Sequence, residues 1–143
     1  RYSTLKPRAV SSDMRDEARM FPDLLIVDDS LAIRKILQRT LRQAGFNLGN
    51  VYEAGDGLEA LEVLRSHKVG LILTDMNMPN MDGLQLLSQV KDNDERKDVP
   101  VFVISTEGGQ SKVIEAVRLG ASGYLRKPFT ADQIKGRLEK YLG

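Results

Sequence analysis

The chain has 143 residues, 41% hydrophobic and 29% charged, the balance of a soluble globular protein with a single core. It has no cysteine, which excludes disulfide frameworks and thiolate metal sites and fits a reducing cytoplasm. No apolar run is long enough to span a bilayer, and the first residues lack the apolar stretch of a secretory signal.

The formal net charge is +1, unevenly spread. Residues 1–22 hold five bases (Arg1, Lys6, Arg8, Arg15, Arg19) against three acids (Asp13, Asp16, Glu17). The remainder is slightly acidic and shows no clustered basic face of the kind that nucleic acid requires. Within this leader, Ser11 or Ser12 is a candidate cap for a short helix running to Met20. Residues 1–22 read as an extension, a linker or an expression scar, and residues 23–143 as the folded domain.

From Asp23 onward the pattern is regular. Leu24-Leu25-Ile26-Val27 is a short, wholly apolar strand. Ser30 then caps a helix with Leu31, Ile33, Ile36, Leu37, Leu41 and Ala44 along it, ending at Gly45. Val51–Ala54 is a second strand, followed by a helix marked by Leu58, Leu61, Val63 and Leu64. Val69–Thr74 is a third strand, apolar almost throughout, followed by a helix with Leu84, Leu86, Leu87 and Val90. Val101–Ile104 is a fourth strand, and Val113, Ile114, Ala116, Val117 and Leu119 mark the helix after it. Tyr124-Leu125 is a short fifth strand, and Ile134, Leu138 and Leu142 belong to a final helix. Strict alternation of five such pairs predicts a doubly wound α/β fold with a parallel sheet and helices on both faces. The continuously apolar first, third and fourth strands are expected at its centre, and the more polar second strand nearer an edge.

In such sheets ligands sit at the carboxyl ends of the strands, where the winding direction reverses. Asp28-Asp29 follow the first strand, Asp75 the third, Ser105-Thr106 the fourth and Lys127-Pro128 the fifth. Three carboxylates on one rim repel one another and raise each other's pKa. A divalent cation with a lysine beside it removes that conflict. Magnesium fits best, because it takes oxygen ligands and binds through one or two carboxylates together with a phosphate oxygen. The set therefore reads as a carboxylate nucleophile that accepts a phosphoryl group, with metal, ammonium and hydroxyl stabilising the charge.

The segments IVDDS, LTDMNMPNMDGLQLL, VIST and GASGYLRKPFT, in this order and spacing, resemble the receiver domain of two-component response regulators, closest to the single-domain chemotaxis (CheY-like) class. The resemblance covers residues 23–142. It implies the flavodoxin-like strand order 2-1-3-4-5 and a cytoplasmic signalling switch rather than an enzyme acting on other substrates. It implies that Asp75 accepts the phosphoryl group from a histidine kinase, with Mg2+ ligated by Asp29, by Asp28 mainly through water, by Asp75 and by the backbone carbonyl of Asn77. Ser105 then matches the hydroxyl that binds the arriving phosphoryl group, and Lys127 the lysine that contacts it, its bond to Pro128 expected cis. Tyr124 matches the aromatic that swings inward, and Thr106 and Glu107 the positions that tune dephosphorylation. The surface of the fourth helix, fifth strand and fifth helix is expected to meet a target protein, with no nucleic acid or membrane involved. The last helix ends just before Gly143, so the expected output is a protein–protein contact or a domain carried by a longer native chain.

Other readings explain less. Asp28 and Asp29 could be plain helix caps, but that leaves the acid on a different strand unexplained. Asp75-x-Asn77 does not open a calcium loop, since Asn80 and Leu86 stand where glycine and glutamate are needed. Met76, Met78 and Met81 read as loop packing. His67, the only histidine, reads as solvent-exposed and makes no catalytic triad. An aspartate-nucleophile phosphatase would want a second acid where Asn77 stands, together with a cap domain. A phosphorylation-independent interaction module on the same fold is the alternative reading, and its signature, a missing acid or lysine, is absent.

Overall fold

Leu24, Leu25, Ile26 and Val27 are all buried, and the alternation inherent to a strand sends them to opposite faces of the sheet. Leu24 and Ile26 pack into one core, Leu25 and Val27 into another. A strand covered on both faces can be apolar throughout, which is why these segments show no polar alternation. The structure, a computed structural model, describes residues 21–106 and 109–142. The helix expected within residues 11–20 and the tuning position Glu107 lie outside the described residues.

The elements are β1 (Leu24–Val27), α1 (Leu31–Gln43), β2 (Val51–Ala54), α2 (Gly57–Ser66), β3 (Leu71–Asp75), α3 (Gly83–Lys91), β4 (Val101–Ser105), α4 (Gln110–Arg118), β5 (Gly123–Arg126) and α5 (Ala131–Leu142). The strands form one parallel sheet in the order β2-β1-β3-β4-β5. The order expected from the resemblance holds, with β2 at one edge.

Two cores flank the sheet. Helices α1 and α5 cover one face with Leu37, Leu41, Ile134, Leu138 and Leu142, packed on Leu24, Ile26, Leu71, Leu73, Phe102 and Ile104. Helices α2, α3 and α4 cover the other with Ala60, Leu64, Leu86, Leu87, Val90 and Ala116. Each buried leucine or isoleucine side chain contributes about 1.5–3 kcal/mol relative to exposure.

Boundaries differ from the sequence expectation in several elements. β3 begins at Leu71 rather than Val69; Val69 is apolar because it packs into the core beneath α2, α3 and α4, not because it pairs. β3 also extends to Asp75, and β4 to Ser105, so both predicted site residues sit on the last residue of a strand. α1 ends at Gln43 with Ala44 as its cap, and α4 ends at Arg118 with Leu119 as its cap. His67 is exposed as expected, and its ring also stacks on Tyr52 with centroids 4.2 Å apart. Among the described residues no helix is long and apolar enough to cross a membrane.

Candidate functional site

β1 is flanked by β2 on one side and β3 on the other, so the winding reverses between β1 and β3. Their registered ends, Val27 opposite Thr74, deliver Asp28, Asp29 and Asp75 to one point. Carboxylate oxygens of these three acids all lie within 4.8 Å of one another. Asp28 is buried, Asp75 half-buried and Asp29 exposed, so the cluster grades from the protein interior to solvent.

Local chemistry fixes each member. Ser30 caps α1 by accepting a hydrogen bond from the Ile33 amide at 3.2 Å, so neither Asp28 nor Asp29 is that cap. Asp28 instead uses Oδ1 to accept from the Ser30 amide at 2.9 Å, leaving Oδ2 for the cleft. Asp75 is held from behind: Gly83 opens α3 so close that a Cβ there would lie 2.2 Å from the Asp75 carbonyl oxygen. Only glycine allows that approach. Asp82 and Gln85 form a reciprocal capping box that starts α3 at this point.

Lys127 arrives from the far strand. It follows β5, its backbone amide donates to the Ser105 carbonyl at 2.8 Å, and its bond to Pro128 is cis. Its Nζ donates to Asp28 Oδ2 at 3.1 Å and to Asp75 Oδ1 at 3.4 Å, across separations of 99 and 52 residues. At the start of α5, Thr130 and Gln133 exchange side-chain and backbone hydrogen bonds, which fixes the far end of this loop.

Burial pushes the Asp75 carboxyl above the ordinary carboxylate range; the Lys127 ammonium pulls it back, and the Asp28 carboxylate pushes it up again. A carboxylate that is partly stripped of water and crowded by a second acid is relieved by a small, hard cation. Three oxygen donors within reach of one ion, without nitrogen or sulfur, are a donor set suited to magnesium or a similar divalent metal.

The remaining predicted residues fall around this centre. Ser105, 1% exposed, ends β4 next to β3, where Ile104 is the register partner of Asp75. Thr106 follows it and is exposed. Asn77 is exposed on the loop leaving β3. Tyr124 lies on β5, half-buried against the core under α2, α3 and α4. On the other side of the acids, an apolar cleft of about 200 Å³ is lined by Ile33, Ile36, Leu37, Ile104, Pro128 and Phe129 and opens onto Asp28, Asp75 and Lys127.

Arg34 is a participant that the sequence pattern did not single out. It donates to the Asp28 backbone carbonyl through Nη1 at 2.6 Å and to Glu53 Oε1 through Nε at 2.9 Å. It thereby ties the exit of β1 to the edge strand β2. Its place among apolar α1 residues in the sequence hides a contact made across the sheet.

Residues 24–139 match the family described as "Response regulator receiver domain". The chain is 43% identical over 117 residues to "Chemotaxis protein CheY-3" of Vibrio cholerae serotype O1, a span covering 82% of this chain and 88% of that protein. Among solved structures it resembles chemotaxis protein CheY4 of Vibrio cholerae, with TM-score 0.76, 34% identity, and coverage of 85% of this chain and 99% of that one. It also resembles the Mn(2+)-bound form of response regulator Rcp1, with TM-score 0.73, 28% identity, and coverage of 85% and 94%.

Proposed function

Because the chain belongs to the response regulator receiver domain family and has CheY-like relatives, we propose that it is a phospho-accepting switch whose acceptor is Asp75. One observation carries this reading: a single ammonium, that of Lys127, bridges Asp28 and Asp75 at the point where the sheet reverses its winding. A structural ion pair needs one acid; three acids and a lysine at a ligand-binding rim leave room for a cation and an anion.

In this reading Asp28, Asp29, Asp75 and the Asn77 carbonyl hold Mg2+, which when bound neutralises charge on the phosphoryl oxygens. That response regulator Rcp1, a structural neighbour, has a Mn(2+)-bound form is in keeping with a divalent cation on this fold. The phosphodonor is a phosphohistidine of a histidine kinase. An ionised Asp75 oxygen attacks phosphorus in line; the phosphorus–nitrogen bond breaks, and its electron pair leaves with the donor imidazole. Lys127 exchanges its carboxylate partners for an oxygen of the new acyl phosphate, and the Ser105 hydroxyl donates to another. Tyr124 then moves inward, and the face formed by α4, β5 and α5 changes its affinity for a target protein. Ile114 and Val117 give α4 exposed apolar surface for such a contact. Thr106 and Glu107 occupy the positions that, by the family resemblance, tune its hydrolysis. Apart from this self-directed transfer and its reversal by water, the chain acts as a switch.

Incubation with acetyl phosphate and Mg2+ should add one phosphoryl group, read by intact mass. Chelation of the metal should prevent it, and Asp75→Asn should remain unmodified. A wild-type chain that stays unmodified with metal present would overturn the reading in favour of a phosphorylation-independent interaction module.

A further inference from the structure

The loop between Met76 and Asp82 carries the Asn77 carbonyl, a ligand that cannot adjust by rotating a side chain. Its position is set by the backbone alone. At one end Met76 is buried, its amide donates to the Ile104 carbonyl at 3.0 Å, and its own carbonyl accepts from Gly83 at 2.8 Å. At the other end the loop is tied to a different element, the start of α2. There Asn80 Nδ2 donates to Asp56 Oδ2 at 2.7 Å, and the Gly57 amide donates to the Met81 carbonyl at 3.0 Å. The Met81 side chain fills the space beside Gly57, where a Cβ would lie 2.4 Å from Met81 Cγ. Asn80 has a φ of 66°, a left-handed conformation that asparagine tolerates better than most residues.

We propose that Asp56 and Asn80 form a positioning pair for the metal site, clamping the loop to α2 so that the Asn77 carbonyl stands where a cation needs it. The inference rests on the reading of Asp28, Asp29, Asp75 and Asn77 as a divalent cation site. Capping alone does not account for the pair. Asp56 already caps α2 through Oδ1, which accepts from the Glu59 amide at 2.9 Å, and a cap requires only one oxygen. The second oxygen is spent on a loop residue 24 positions away, and Asp56 is 7% exposed, so the bond is shielded from water on the acid's side. Between the anchors run Asn77, Met78 and Pro79, turned back by the Met81 amide donating to the Pro79 carbonyl at 2.7 Å. Release of the Asn80 anchor would loosen that span, leaving the Gly57–Met81 backbone bond as its tie to α2, and blur the carbonyl's position. Magnesium demands near-ideal octahedral geometry, so blurring one ligand weakens binding.

The test compares the wild-type chain, Asn80→Gly, and the reciprocal exchange Asp56→Asn with Asn80→Asp. Glycine keeps the left-handed backbone and removes the amide. The exchange keeps net charge and an effective cap, and swaps donor and acceptor across the same bond. The readouts are the Mg2+ dissociation constant by titration calorimetry, the acetyl phosphate labelling rate at saturating Mg2+, and the metal-free melting curve. Asn80→Gly should weaken Mg2+ binding roughly tenfold, the usual size of an effect from behind the ligands. Saturating metal should restore its labelling rate, and the exchange should return near wild-type affinity. Equal Mg2+ affinity in wild type and Asn80→Gly, or an exchange that binds no better than Asn80→Gly, would overturn the positioning role while leaving the cation site intact. No affinity in the wild type itself would overturn the cation site and the pair together.

Discussion

Asp75 stands at the end of a buried strand, where its ionised form is disfavoured by burial and by Asp28 and favoured by Lys127. Its folded pKa lies above the ordinary value, so the stability linked to its protonated form is present at low pH and is lost as pH rises through that raised pKa. At neutral pH the ionised group is a cost to the metal-free fold. Asp75→Asn should therefore raise the metal-free melting temperature by a few degrees, the size of a stabilisation of about 1 kcal/mol in a domain of this length, while abolishing phosphorylation. Glu53 is the opposite case. The Lys35 hydrogen bond, opposed by burial and joined by Arg34, holds its carboxyl below the ordinary range. That contribution is present above the unfolded pKa and is lost as pH falls through the depressed one. Glu53→Gln should cost about 1 kcal/mol in urea melts at pH 7, and the gap from wild type should close in strong acid. The acids at the strand ends were legible in the sequence because they interrupt apolar runs. Arg34 was not, since its partners, Asp28 just past β1 and Glu53 on β2, lie either side of it in the chain and meet it only when the sheet forms.

Elements carry the site by their ends. β1, β3 and β4 open with three or four apolar residues and then present Asp28, Asp75 (after Thr74) and Ser105. Helix α3 must begin within a methyl group's distance of Asp75, which Gly83 permits. Gly83→Ala should push α3 and β3 apart, costing about 1–3 kcal/mol in denaturant unfolding and weakening Mg2+ binding along with it. Existence and type of every described element could be read from hydrophobic spacing. The start of β3 could not, because Val69 is apolar and buried without pairing as a strand residue. The Asp56–Asn80 bond was equally hidden, being made between the start of α2 and the far part of the β3–α3 loop by residues that look like ordinary turn formers.

At the scale of the whole molecule, strand order decides whether the acids meet. Local pattern predicts five parallel strands but cannot order them; the order 2-1-3-4-5 came from family resemblance, and the structure has it. That order sets β1 beside β3 and leaves Lys127 to reach across from β5, so three segments far apart in sequence become one site. A ligand that binds only the folded chain stabilises it in proportion to occupancy. The melting temperature should therefore climb with Mg2+ concentration, by the equivalent of about 2.7 kcal/mol at a hundredfold excess over the dissociation constant. Asp29→Asn, which removes an exposed donor of the cluster, should flatten that rise.

The most direct measurement is to locate the phosphoryl group itself. After brief treatment with acetyl phosphate and Mg2+, the chain is digested and its peptides sequenced by tandem mass spectrometry. A single modification on Asp75 is the predicted result. Modification at Asp28, Asp29 or any residue other than Asp75, or none at all, would contradict the assignment of these acids and Lys127 as one phospho-accepting site.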